Sequence, residues 1–200
     1  MGVSMGVGVA FIRGINVGGK HLIPMEVLRG LCAGVGLADA RTYIASGNVV
    51  FRAGKREMSR AAAALADAVE AKHGFRASVA VRTLADLRRV ASARPFGGRG
   101  DLDPGKLLVM FLTGEAGSDA EEAIAALKTN PERIELSGRE AFLYFPVGIG
   151  KSKLQLSAVE RALKASGTTR NWNTVTKMLG MAEELGASVK QLRGVQQHDQ

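Results

Sequence analysis

Apolar and small residues alternate along VGVAFIR, with Val7, Val9 and Phe11 on one side and Gly8, Ala10 and Ile12 on the other. That two-residue period predicts a strand. After the glycine-rich RGINVGGKHLIP the period becomes helical: Pro24 suits a first turn, and Leu28, Leu31 and Val35 follow at helical spacing. Gly34 and Gly36 then stop the helix. RTYIA and NVVFR read as two strands joined by a tight turn at Ser46-Gly47. In EMSRAAAALADAVEAKH, Met58, Ala62, Leu65 and Val69 form one helical stripe that Gly74 ends. ASVAVR closes the set as a strand. The order β-α-β-β-α-β is that of a ferredoxin-like plait, an antiparallel sheet with two helices on one face.

A short helix from Leu84 to Val90 leads into SARPFGGRGDLDPGK, whose Pro and Gly predict a linker over 93–105. Its Arg99-Gly100-Asp101 matches a cell-adhesion tripeptide by coincidence. The order then restarts. KLLVMFL is a strand apolar on both faces, SDAEEAIAALK a helix capped by Ser118 or Asp119, and RIEL with EAFLYF a hairpin across Ser137-Gly138. SKLQLSAVERALKA follows as a helix of about 20 Å. No closing strand is expected here. TTRNWNTVTKMLGMAEEL takes its place as a helix, with Trp172, Val175, Leu179 and Ala182 on one stripe. The fold class is α+β: plait-like subdomains in tandem over 1–92 and 106–193, the second ending in an extra C-terminal helix. A disordered tail is expected over 194–200.

Charge divides the chain unevenly. Residues 1–100 hold 15 Lys and Arg against 6 Asp and Glu, residues 101–200 hold 12 against 13, and the net +8 therefore comes from the first half. Such a surplus suits an anionic partner, and solvated arginines equally well. The single cysteine, Cys32, excludes an internal disulfide and fits a reducing compartment. No apolar run is long enough to span a bilayer, so a soluble cytoplasmic protein without a membrane partner is expected.

Three polar clusters are candidates for chemistry. In a plait the carboxyl end of the first strand lies at the same sheet edge as the turn between the second and third. Arg13, Asn16 and Lys20 are therefore expected beside Ser46 and Asn48, at the amino end of the first helix. Exposed N–H groups, glycine-permitted nests and the helix dipole favour an anion there. Turn-shaping glycines and an Arg13 that caps carbonyls would leave the same pattern. The second cluster is Thr168, Thr169, Arg170, Asn171, Asn173 and Thr174, more polar residues than one N-cap needs. Arg170, Asn173 or Thr174, and Lys177 would recur on the helix face away from Trp172. The third is GIGKSK, with Lys151, Ser152 and Lys153. It lacks the first glycine of a P-loop, since Phe145 holds that place, but it still suits an anion at a helix start, or a plain turn.

Other chemistries are set aside. His21, His73 and His198 show no metal-ligand spacing with the one cysteine, so no metal is expected. GINVGG does not fit the dinucleotide fingerprint, no nucleophile elbow appears, and no cofactor or catalytic residue is indicated. Cys32, beside Leu31, reads as a small buried hydrophobe.

Taken in order, RGINVGGK, RTYIASGNVVF, GIGKSKL and TTRNWNTV resemble the bacterial domain of unknown function 1697 family, along nearly the whole chain. The resemblance implies a pair of plait-like subdomains and brings no reaction or catalytic residue with it. The expected activity is binding of a small anionic ligand, phosphate- or nucleotide-like, at the glycine-rich rim. A nucleic-acid accessory protein and a protein-interaction module without enzymatic activity are the alternatives. RNA-recognition plaits stack bases on exposed sheet-face aromatics. Phe11 and Phe51 fall in the alternation expected to face the helices, leaving Ala, Gly and Arg52 on the open face, so nucleic acid would lack a stacking platform.

Overall fold

The computed structural model describes residues 5–98, 102–127 and 129–195, with side chains described as far as 188. The Arg99-Gly100-Asp101 tripeptide and residues 196–200 of the expected tail lie outside the described residues.

The first sheet follows the predicted order: β1 (Gly6–Arg13), α1 (Met25–Gly34), β2 (Ala38–Tyr43), β3 (Asn48–Ala53), α2 (Lys55–His73) and β4 (Ser78–Thr83). Its strands lie in the order β2-β3-β1-β4, all antiparallel to their neighbours. Ala10, Ile12, Val49, Phe51 and Val79 face a core that Leu28 and Cys32 of α1 and Leu65 and Val69 of α2 complete. Gly8 sits opposite Phe51 because a Cβ there would come 2.6 Å from the ring. Phe11 departs from expectation. It pairs with Asn48 across β1 and β3, one position out of phase with Phe51, and so lies on the other sheet face. That face is not open: Val9, Phe11, Asn48, Val50, Ala80 and Arg82 are all buried.

After α3 (Leu84–Ser92) the second sheet is built by β5 (Leu107–Leu112), α4 (Ala120–Ala125), β6 (Arg133–Ser137), β7 (Glu140–Tyr144), α5 (Leu156–Leu163) and β8 (Gly167–Asn171). The strand order β6-β7-β5-β8 repeats that of the first. The expected missing strand is therefore present. β8 pairs antiparallel with β5 from Leu108↔Asn171 to Leu112↔Gly167, and α6 (Trp172–Val195) begins only after it. α6 buries Val175, Met178, Ala182 and Leu185, and it includes residues 194 and 195 of the expected tail. α5 is eight residues long, about 12 Å rather than 20, because residues 152–155 stay outside the helix and Lys164 turns left-handed (φ 51°) after it. The expected linker is pinned in part: Arg133 of β6 lies 4.3 Å over the Phe96 ring and donates to the Phe96 carbonyl.

The chain divides into two compact units, Met1–Arg89 with Lys177–Gln200, and Val90–Thr176. Most of α6 thus joins the first unit, where the sequence assigned it to the second subdomain. Within that first unit, Gly186 approaches Leu84 and Val7.

Candidate functional site

The first cluster assembles where the topology places it. Ile12 donates its backbone N–H to the Gly47 carbonyl (2.8 Å), and Asn16 Nδ2 donates to the Ala45 carbonyl (2.8 Å), joining the glycine-rich loop to the β2–β3 turn. The same Nδ2 donates to Ile23 O (3.0 Å), and Asn16 Oδ1 accepts from Ile23 N (2.8 Å). Asn16 is left-handed (φ 56°), a conformation its short amide side chain tolerates. Its polar atoms are engaged in holding the two loops, which makes it architecture. Asn48 is fully buried and donates to Tyr43 O and Ser46 Oγ, which removes both it and the Ser46 lone pair it uses from the surface. Arg13 and Lys20 remain exposed on the rim. The turn between β2 and β3 is wider than predicted, four residues from Ile44 to Gly47.

The second cluster is mostly half-buried: Thr168 is buried, Thr169, Arg170, Asn171 and Thr174 are partly covered, and Asn173 is exposed. Arg170 lies on β8, not on a helix, and its register partner is Val109. It is partly buried, donates Nη1 to Thr168 Oγ1 (2.8 Å) and Thr169 O (3.0 Å), and burial pulls its guanidinium down to about 10. Asn171 precedes α6 and accepts from Asn173 N (2.9 Å), as an N-cap does, while its Nδ2 donates to Gly105 O (2.9 Å). The helical recurrence of Arg170 with Asn173 and Lys177 is lost, because Arg170 stands two residues before the helix.

The third cluster opens onto a cleft of about 570 Å³ in the second unit. Lys151, Lys153 and Arg161 line it, with Asn130, Glu132 and Gln155. Ser152 is not part of the cleft lining: its hydroxyl donates to Glu132 and accepts from Leu154 N, fixing the loop that carries the two lysines. The three cations are exposed and none has an ion-pair partner among the described residues. Lys164, on the same segment, is instead paired with Asp119 at 2.7 Å. Asp119 holds the N-cap position of α4 but makes no capping bond, since its carboxylate accepts from that lysine. α5 begins at this cleft with Gln155 as N-cap and no side chain capping it. Arg161 was not among the sequence candidates. The signal for it was charge: residues 101–150 hold 4 Lys and Arg against 9 Asp and Glu, whereas 151–164 hold 4 against one.

A family profile described as "Protein of unknown function (DUF1697)" matches residues 5–142. The chain belongs to that family. The DUF1697 match takes in all of the first sheet and ends within β7, so the cleft residues from Val147 onward lie beyond it. A structure described as a conserved bacterial protein from Streptococcus pneumoniae is similar at 26% identity, with a TM-score of 0.67, and covers 90% of this chain and 99% of its own. The fold of this DUF1697 member is thus shared with that bacterial protein. A search of curated proteins finds no match.

No helix among the described residues is long and apolar enough to cross a membrane, and no group of three or more metal-ligating side chains occurs among them.

Proposed function

We propose that this DUF1697 protein binds a small anionic ligand, phosphate- or carboxylate-bearing, in the cleft of its second unit rather than at the glycine-rich rim. The observation that carries this is the convergence of three unpaired cations, Lys151, Lys153 and Arg161, on one concavity. The three cations outnumber the one carboxylate, Glu132, that lines the cleft with them, and a bound anion relieves their mutual repulsion. The first N–H groups of α5 add to the attraction. Asn130 and Gln155 supply amide groups that fix orientation. The unpaired Cys32 supports a reducing, cytoplasmic setting.

Two further readings stand beside this one. The equivalence of Val9 with Val109, Phe11 with Phe111 and Arg82 with Arg170 in the two β ladders supports a tandem duplication as the origin of the fold. Nucleic-acid binding, the alternative, still has no stacking platform to support it, since Phe11 is fully buried on the sheet face it occupies.

Calorimetric titration with inorganic phosphate and pyrophosphate tests the cleft. Lys151→Met and Arg161→Met are each expected to weaken pyrophosphate binding by about 1.5–3 kcal/mol, as for a lost charge-assisted hydrogen bond. Both variants should keep the wild-type melting temperature, because the side chains are exposed and unpaired. Absence of binding to either anion, or binding that both substitutions leave unchanged, rejects the site.

A further inference from the structure

The rim at the carboxyl end of β1 is poor in ligand-binding atoms but unusual in another respect. Five large hydrophobic side chains are markedly exposed among the described residues, and three of them, Val17 (63%), Leu22 (64%) and Ile44 (54%), lie on its two loops. These loops are locked together by the Asn16 and Ile12 hydrogen bonds, so the apolar side chains are held outward on a fixed scaffold. Ile44 adds an independent sign. It is left-handed at φ 47°, a costly conformation for a β-branched residue, and it packs into no core that would compensate. Strain of this kind collects at binding sites. The loops RGINVGGKHLIP and RTYIAS also carry Arg13, Lys20 and Arg41 and no acidic residue. Lys20 and Arg41 are exposed and have no ion-pair partner among the described residues.

We infer that this rim docks on an anionic lipid surface, with Val17, Leu22 and Ile44 entering the headgroup boundary and Lys20 and Arg41 meeting lipid phosphates. The charge calls for an anionic partner, and the apolar tips call for one that accepts aliphatic groups. A nucleic acid would meet the first condition only, since Val, Leu and Ile offer no stacking surface. A protein partner needs a patch of about 800 Å² per side, which a few side chains at loop tips do not provide. Shallow insertion of a few aliphatic groups with electrostatic attraction suits reversible association with an anionic bilayer. The lack of a spanning helix bears on crossing a membrane and not on resting against one.

Co-sedimentation of the full chain tests the inference, using vesicles of phosphatidylcholine alone and of phosphatidylcholine mixed equally with phosphatidylglycerol. Binding is expected to the mixed vesicles only, and to fall with added salt. Ile44→Asn is the decisive variant, because asparagine tolerates the left-handed backbone and should fold at least as well. It is expected to lower the vesicle partition coefficient about tenfold, as is Lys20→Glu. Arg161→Met, in the other unit, should leave vesicle binding intact, which separates this inference from the proposed anion cleft. The inference is overturned by absence of binding to the mixed vesicles, by equal binding to both kinds, or by binding that survives Ile44→Asn and Lys20→Glu. Loss of an RNA or protein partner, in place of vesicle binding, in those variants overturns it too.

Discussion

Arg170 brings a positive charge into the second unit on a strand made of Gly, Thr, Thr, Arg and Asn. Burial opposes that charge and lowers its pKa to about 10, yet the guanidinium remains protonated at neutral pH and donates to Thr168 and Thr169. In the first unit Arg82 opposes Val9 as Arg170 opposes Val109, and it too donates to the preceding residue's carbonyl. A paired position in both sheets marks an architectural use of arginine. Arg170→Met should therefore lower stability by about 1–3 kcal/mol in urea denaturation, because it leaves buried acceptors without their donor. A melting temperature at or above wild type would instead mean that the charge is a burden carried for a ligand. The sequence identified this segment as polar and distinctive, but its role was hidden. Four polar residues in succession gave no apolar alternation, and the β-branched threonines were the only local sign of a strand. Pairing with β5, a contact between residues some 60 positions apart, decided its state.

At the scale of elements, the rim shows which part of a site is legible. That the β1 loop and the β2–β3 turn share a sheet edge follows from strand direction alone, and the hydrogen bonds from Ile12 and Asn16 bear out that placement. That Asn16 and Asn48 would turn their amides onto backbone carbonyls, away from solvent, did not follow, because a side chain's partner is a matter of three-dimensional contact. The glycines of the same region divide in the same way. Gly47 is left-handed at φ 79°, and a Cβ on it would lie 2.8 Å from the Ile12 carbonyl and 3.1 Å from Ile15 Cδ1. Gly18 is also left-handed at φ 59°, but a Cβ there meets open space. Gly18→Ala is expected to cost about 1 kcal/mol for the backbone alone, and Gly47→Ala at least twice that, since the loop junction must part to admit the methyl group. Chemical denaturation of the pair measures the difference. Equal losses would show that backbone conformation, and not the close approach of the two loops, governs this turn.

At the scale of the whole molecule, the tandem plaits were legible because hydrophobic periodicity and turn chemistry agree along both halves, the closing strand of the second excepted. The assignment of α6 was not, since an apolar stripe announces that a helix is covered without saying by what. Its residues from Lys177 onward belong with the first unit, which is thus built from two separated stretches of chain. Two intrinsic probes report the units separately. Cys32 is fully buried in the first, where burial raises its thiol to about 11, so at neutral pH it reacts only when that unit opens. Trp172 lies in the second, 6.4 Å from the Phe142 ring. Leu185, 3% exposed on α6, discriminates between the two assignments. Leu185→Ala should cost about 2–5 kcal/mol as a core truncation. If α6 completes the first unit, the variant's Cys32 will label at least about tenfold faster with a thiol reagent, since each 1.4 kcal/mol of lost stability raises the open population tenfold. Trp172 emission should then keep its wild-type denaturation midpoint, or shift by less than the labelling implies. A Trp172 midpoint that falls while Cys32 labelling stays at the wild-type rate would return α6 to the second unit.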